Sequence, residues 1–220
     1  MSKINSLKIL SVSVLIMLIL SLCYYNIQLR NTIRLSVDLL KNSSSRHVKD
    51  SIQNKILLNN VVQQLENSGI VLHDVTIEDV DNKTYKLKAL IKGRSKLIFM
   101  FSELNCQTCI DMQLSGIEQL SKDIGSKNII LLASYKNKRD LFQFARINMI
   151  KTVIYNFNKS DIQIPITEAN VPFFFIINPD LTSTCFFIPE KSLPKHTTTY
   201  LKIVKHRFFD HLNEGERKSQ

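Results

Sequence analysis

The 220-residue sequence has no tryptophan, and it has only 5 glycines and 5 prolines. This scarcity of flexible and helix-breaking residues argues against long unstructured linkers. The 4 cysteines are too few for a small scaffold held together by disulfides. Hydrophobic residues make up 44% and charged residues 22%, which excludes wholesale disorder and a collagen-like or coiled-coil composition. The length predicts one or two globular domains.

Acidic residues are scarcer than basic ones, with 19 Asp and Glu against 29 Lys and Arg, so the formal net charge is +10. The densest basic run lies within residues 83–96. No stacked aromatic and basic pattern and no zinc-finger spacing accompany it, so no nucleic-acid partner is predicted. The basic balance instead favours a protein held close to anionic lipid.

A long uncharged segment lies near the start of the chain. Residues 9–29 contain no Asp, Glu, Lys or Arg, and about 20 apolar residues are enough for a transmembrane helix. Tyr24 and Tyr25 suit the membrane–water interface. The sequence predicts one transmembrane helix, which makes membrane lipid a partner. A cleaved signal peptide and a lipoprotein signal stay open as alternatives, although Ser21, Leu22 and Cys23 match their cleavage patterns poorly.

The charges that flank this segment do not decide its orientation. Lys3 and Lys8 precede it, while Arg30, Arg34 and Lys41 follow it. Long C-terminal domains are translocated largely regardless of flanking charge. We therefore expect a single-pass protein of the cell membrane, with its C-terminal domain in the periplasm or otherwise outside the cytoplasm.

Residues 30–69 carry apolar side chains at helical spacing and predict a helical stalk or packing segment. Residues 42–45, Asn-Ser-Ser-Ser, are expected to end one helix and cap the next. Gly69 follows the last periodic residue and is a typical helix stop. The predicted domains are an anchor at 1–29, this segment at 30–69, and a folded domain at 70–220.

Beyond Gly69 the pattern predicts an α/β domain. Alternating residues at 71–80 and 84–87 indicate a β-hairpin around a turn at 81–83. The strands expected after it lie at 97–101, 128–133, 152–155, 171–177 and 182–188, and the helices at 106–123, 139–150 and 196–212. Strands that alternate with helices and end in an antiparallel pair predict a mixed central sheet flanked by helices.

The C-x-x-C formed by Cys106 and Cys109 is the predicted chemical centre. Positions i and i+3 share one face of a helix, so the two sulfurs can form a disulfide. At the predicted start of a helix, the thiolate of Cys106 is stabilised and is the expected nucleophile, with Cys109 as the resolving thiol. A structural disulfide and half of a metal site are the alternatives. Cys185 and His196 are the only loose candidates for further ligands, so no metal and no cofactor are predicted.

At this point the chain resembles the thioredoxin superfamily, and within it the membrane-anchored TlpA/ResA-type thiol-disulfide oxidoreductases, which are related to the AhpC/TSA peroxiredoxins. Residues 75–87, 97–109 and 171–180 carry the resemblance. It implies a thioredoxin-like fold and exchange of electrons with protein thiols or disulfides of the cell envelope and with an electron-donating membrane protein.

The resemblance also implies roles for residues around the cysteines. Pro172 would follow a cis peptide bond and face the C-x-x-C, and the backbone of Val171 would pair with an extended substrate segment. Gln107 and Thr108, between the cysteines, would also contact substrate. Glu103 is near enough to Cys106 to substitute for the family's proton carrier, although its charge opposes a thiolate.

Some positions depart from the pattern of that family. Asn105 replaces the aromatic residue, often tryptophan, that usually precedes the first cysteine, and the Gln-Thr dipeptide lacks the frequent proline. Met100 occupies the place of a polar or acidic proton carrier. These departures keep open a non-catalytic binding or assembly module with a structural or vestigial disulfide, and a thiol metal holder. The Thr-x-x-Cys peroxide pocket is not reproduced around Cys106, so peroxidase activity is not predicted.

Overall fold

The computed structural model describes the backbone of residues 2–210, and within its first helix it describes the side chains at 17–18, 21–22, 24–31, 34 and 48–67. The chain divides into two compact units, Met1–Lys55 and Ile56–Gln220. The predicted boundaries after residues 29 and 69 differ from this division and stay predictions.

Helix α1 runs without a break from Ser2 to Asn67. The expected interruption at residues 42–45 is therefore wrong. Asparagine and serine each destabilise an α-helix by only about 0.5 kcal/mol relative to alanine. Residues 42–45 contain no glycine or proline. The helix ends before Gly69, whose φ of 86° confirms the predicted stop.

The predicted membrane anchor at 9–29 lies partly outside the described side chains, and Cys23 is among those left out. Among the residues described, no helix is both long and apolar enough to cross a lipid bilayer.

In the second unit, the described residues form a seven-stranded sheet in the order β2-β1-β5-β4-β3-β6-β7. The strands are β1 (Thr76–Asp79), β2 (Thr84–Lys86), β3 (Lys96–Ser102), β4 (Ile129–Ser134), β5 (Ile154–Asn156), β6 (Phe173–Ile177) and β7 (Ser183–Phe187). Strands β3, β4 and β5 run parallel, whereas β1 pairs with β2 and β5, and β6 with β3 and β7, in antiparallel fashion. The sheet is mixed, as predicted.

The helices that follow α1 are α2 (Leu87–Ile91), α3 (Gln107–Ile124), α4 (Lys138–Ile147) and α5 (Pro194–Val204). The chain continues from α5 through a wider helical turn, Lys205–Phe209. The predicted end of this helix at residue 212 lies outside the described residues. Helix α2 was missed, because Leu87 completes the alternation of the preceding strand.

Both faces of the sheet are buried, which explains the uninterrupted apolar runs of its central strands. Leu97, Phe99 and Phe101 of β3 face a core shared with α3, α4 and α5. Ile98 and Met100 face a second core, closed by α2 and by the chain around residues 157–166. This mixed sheet, with its N-terminal hairpin and flanking helices, is the thioredoxin-like arrangement that the resemblance implies.

The last turns of α1 belong to the second unit and are bonded to its backbone. The Asn60 carboxamide oxygen accepts a hydrogen bond from the Ile188 amide at 2.7 Å, and its Nδ2 donates to the Ile188 carbonyl at 3.3 Å. Asn67 is fully buried, and its Oδ1 accepts from the Ile166 amide at 2.9 Å. This part of the predicted 30–69 segment therefore packs on the domain.

Replacing Asn67 by leucine should lower the free energy of unfolding by about 1–3 kcal/mol, because the buried amide of Ile166 loses its acceptor. Chemical denaturation of the full chain measures the change. Asn59→Leu is the matched control, since Asn59 is exposed on the same helix and should change stability by less than about 0.5 kcal/mol. Equal losses in the two variants would contradict the assigned role of Asn67.

Candidate functional site

The C-x-x-C lies after the loop that connects β3 to α3, at the start of that helix. Strand β3 ends at Ser102, and the loop turns back on itself because the Asn105 carboxamide accepts a hydrogen bond from the Ser102 amide at 2.8 Å. Cys106 is the N-cap of α3, and its sulfur accepts from the Cys109 amide at 3.3 Å. The predicted placement of Cys106 at a helix start is confirmed.

Cys106 and Cys109 are joined by a disulfide, with their Cα atoms 5.2 Å apart. Cys106 is exposed, whereas Cys109 is half-buried and is followed by the fully buried Ile110. An incoming thiolate can therefore reach the first sulfur more easily than the second. This asymmetry is what an attacking and a resolving cysteine require.

The first turn of α3 carries no acidic residue, so the free amides and the helix dipole favour an anion at Cys106. Two acidic side chains, Asp111 and Glu103, lie outside this first turn. Asp111 accepts a hydrogen bond from Gln107 Nε2 at 2.6 Å. Glu103, three residues before Cys106, accepts from the Lys136 amide at 3.1 Å. A thiolate at Cys106 would be stabilised by the helix and opposed by these two carboxylates.

A small cleft adjoins the loop before Cys106. Asn105 lines it together with Ser134 at the end of β4 and with Asn170, Val171 and Phe173 from the segment that leads into β6. The fold thus brings the C-x-x-C loop and the predicted substrate-pairing residue Val171 to one cleft. Gln107 and Thr108 are exposed on the first turn of α3, outside its lining.

Pro172 is buried and does not line this cleft. No peptide bond within residues 2–210 is cis, so the cis bond before Pro172 that the resemblance implied is wrong. Trans is the ordinary state of a bond to proline, favoured by about 0.5–1 kcal/mol. The sequence around Val171 contains nothing that would predict the rarer isomer.

Tyr135 directly follows β4, and the pKa of its phenol responds to the acidic groups near the C-x-x-C. Burial, together with the negative charges of Glu103, Asp111 and Asp140, raises the pKa of its phenol to about 12. The ring packs against Phe101 and Phe144, with centroids 6.4 and 6.0 Å away. The surroundings of the C-x-x-C therefore combine apolar packing with an acidic field.

The Tyr135 phenol is expected to ionise at about pH 12, against 10.0 for a free tyrosine. Because the folded pKa is raised, the stability that it contributes is complete below pH 10 and is lost as the pH rises towards 12. Tyr135→Phe should remove one phenolate absorbance step near pH 12 and reduce the alkaline loss of stability. Glu103→Gln should move that step to lower pH. An unchanged ultraviolet titration in Tyr135→Phe would contradict this assignment.

The free thiol of Cys185 lies elsewhere, on β7, where it is half-buried at a register irregularity and has a φ of 55°. Tyr200 donates a hydrogen bond to its carbonyl oxygen at 2.8 Å. Within the described residues, no group of three or more His, Cys, Asp or Glu side chains is placed to hold a metal ion.

The sequence did not reveal the contributions of Asn105, Lys159 and Asn170 to the cleft. Lys159 Nζ donates to Asn170 Oδ1 at 2.9 Å, and both residues line the cleft wall. Asn170 has a φ of 50°, and asparagine tolerates this left-handed conformation better than most residues. That preference was the available signal, but it predicts a turn and not its position in the fold.

Solved structures of thiol-disulfide oxidoreductases and a peroxidoxin are similar to this chain at low identity. The thioredoxin domain of a thiol-disulfide oxidoreductase from Bacteroides vulgatus is 10% identical, with a TM-score of 0.45 over 61% of this chain and 97% of that one. A secreted disulfide oxidoreductase from Mycobacterium tuberculosis is 12% identical, with a TM-score of 0.43 over 59% and 96%. Peroxidoxin BcpB from the same organism is 9% identical, with a TM-score of 0.46 over 63% and 97%.

No family model matches the sequence, and no curated protein matches it.

Proposed function

We propose that this chain is a membrane-anchored thiol-disulfide oxidoreductase that exchanges electrons with cell-envelope protein thiols through Cys106 and Cys109. One observation carries the proposal. The first cysteine of the disulfide, Cys106, is exposed at the N-cap of α3, while Cys109 is half-buried one turn along the helix. A purely structural disulfide has no need of an accessible sulfur placed where a thiolate is stabilised.

The exchange proceeds in two balanced steps. A thiolate of the partner attacks Cys106 Sγ, the Cys106–Cys109 bond breaks, and Cys109 leaves with the electron pair and takes up a proton. A second partner thiolate then attacks the partner sulfur of the mixed disulfide and releases the Cys106 thiolate. The partner is oxidised to a disulfide and the C-x-x-C gains two electrons, and the same steps in reverse reduce a partner disulfide.

Other residues support these steps in the proposed function. Val171 is half-buried and offers its backbone to an extended segment in the cleft, while exposed Gln107 and Thr108 contact the bound partner. Pro172 is buried directly before β6. Glu103, which is half-buried, lies close enough in sequence to the pair to move the proton that the thiol releases.

The reduction potential of the pair tests the proposal. The full chain is equilibrated in dithiol buffers, and reduced and oxidised forms are separated by thiol trapping and mass. A reversible two-electron couple between about −120 and −270 mV, the range of catalytic pairs, supports exchange. A pair that stays oxidised below about −300 mV is a structural disulfide and would refute it.

Membrane attachment and location are part of the proposal and rest on the sequence of residues 9–29. In that stretch Leu18, Leu22 and Ile27 are exposed apolar side chains. The proposed protein is single-pass, with residues 70–220 forming a domain outside the cytoplasm. Alkaline carbonate extraction should leave the chain in the membrane fraction. A membrane-impermeant thiol reagent should label reduced Cys106 in intact cells, and labelling only after lysis would overturn the proposed side.

A binding or assembly module is the second candidate, and the position before Cys106 favours it. Asn105 is engaged in bonding the loop to itself and supplies no aromatic surface beside the disulfide. In such a module, Cys106→Ser would leave capture of a partner unchanged. In the oxidoreductase the same substitution abolishes exchange.

A further inference from the structure

A second pocket opens at the other end of the sheet from the C-x-x-C. It lies beside the first residues of β3 and β4 and beside Tyr155 of β5. Strand β3 separates it from Ser102 by six residue steps, or about 20 Å at 3.3 Å per residue. The pocket is therefore not part of the cleft beside Cys106.

The lining of this pocket is strongly basic. Its four cationic side chains, which we call the basic pocket, are Lys92, Arg94, Lys96 and Lys127. None of the residues that line it, all within the described part of the chain, is acidic. The four cations come from the turn after α2, the start of β3 and the turn after α3. Folding therefore brings like charges close together, where they repel one another.

Lys96 is the buried cation of the pocket, whereas Lys92, Arg94 and Lys127 are exposed. Its side chain is only 5% exposed. Its Nζ donates to the Lys127 carbonyl at 2.8 Å and to Asn128 Oδ1 at 3.1 Å. Both acceptors are neutral, and an ammonium group has a third hydrogen to donate. Burial lowers the pKa of Lys96, and repulsion from Arg94, Lys127 and Lys92 lowers it further.

The groups around Lys96 are held firmly in place. Asn128 is 2% exposed, and its Nδ2 donates to the Ile124 carbonyl at 2.6 Å. Lys92 adopts a φ of 46° because it is the left-handed C-cap that ends α2.

We propose that the basic pocket binds a phosphate group. The negative charge of a phosphate group would balance the Lys96 ammonium, whose two acceptors are neutral, and the planar fork of Arg94 matches the oxygens of phosphate. The site is independent of disulfide exchange. The same chemistry is found in free inorganic phosphate and in the headgroup of an anionic phospholipid, and the basic face of a protein near a membrane can meet either.

The rate at which phenylglyoxal modifies Arg94, read by peptide mass on the full chain in neutral detergent, tests the proposal. Arg94 is exposed, so the reagent reaches it in the empty pocket. Inorganic phosphate at ten times its dissociation constant should slow modification roughly tenfold, because only the empty pocket reacts. Chloride at equal ionic strength should not. Equal slowing by chloride would mean screening alone and would overturn the proposal.

Vesicles separate the two sources of phosphate. Protection by phosphatidylglycerol vesicles, with none from free phosphate or from phosphatidylcholine vesicles, assigns the site to a lipid headgroup. Protection by free phosphate assigns it to a soluble ligand. Absence of protection by every probe overturns the proposal.

Variants locate the effect in the pocket. Lys127→Gln, at an exposed position, should abolish most of the protection without disturbing the core, and Lys96→Met should abolish it entirely. Lys202→Gln is the matched control, since Lys202 is exposed on α5 and does not line the pocket, and it should keep full protection. Undiminished protection in Lys127→Gln and Lys96→Met would refute the assignment.

Discussion

Replacement of Cys106 by serine should reduce thiol-disulfide exchange by at least about a thousandfold, since a hydroxyl supplies no anion comparable with a thiolate at neutral pH. Cys109→Ser should behave differently. It keeps the exposed nucleophile and loses the resolving thiol, so mixed disulfides with the partner accumulate. Exchange with a model protein disulfide, followed by non-reducing electrophoresis and mass, measures both outcomes.

Cys106→Ser and Cys109→Ser serve as controls for each other with respect to stability. Each loses the same disulfide, so any cost of losing the cross-link is shared. Cys185→Ser removes the free thiol of β7 and should leave exchange intact. Trapping of partners through Cys106→Ser, in place of Cys109→Ser, would reverse the assigned roles. Full exchange in both would exclude the C-x-x-C as the reacting group.

Phe174 is the position in the core where truncation should be most damaging. Its side chain is completely buried on β6 and lies between the rings of Phe99 and Tyr200, at centroid distances of 4.5 and 5.7 Å. Phe174→Ala removes this packing and leaves a cavity, so the free energy of unfolding should fall by about 3–5 kcal/mol. Urea unfolding followed by circular dichroism measures the difference.

The matched control is Phe142→Ala on α4. The Phe142 side chain is 51% exposed, so its loss should change the free energy of unfolding by less than about 0.5 kcal/mol. If the two alanine variants lose the same stability, the core does not depend on the ring of Phe174.

Sequence patterns predicted most of the sheet because its central strands carry a signal that is purely local. The runs at 97–101 and 129–133 are apolar on both faces, and the structure buries both faces. The amphipathic spacing of α3 also placed Cys106 at a helix start. In each case the residues that decide the structure are neighbours along the chain.

The features that sequence patterns missed depend on contacts between distant residues or on weak preferences. The run at 42–45 lowers helix propensity only slightly, so it did not decide whether α1 continues. The isomer of the bond before Pro172 depends on surroundings that no local pattern reveals. The basic pocket joins Lys92, Arg94 and Lys96 to Lys127, which lies 31 positions after Lys96, and the parallel pairing of β3 with β4 brings the two segments together.

The bonds that Asn60 and Asn67 make to Ile188 and Ile166 also determine where the chain can be cut. A protease that cleaves just after Gly69, or a fragment that begins there, would remove both asparagines and leave those backbone groups exposed to solvent or unsatisfied. The shortest autonomous unit therefore includes the residues from Ile56 onward. Limited proteolysis of the native chain should accordingly yield a stable product whose first residue lies at or before Ile56. The last turns of α1 are in this sense part of the folded domain.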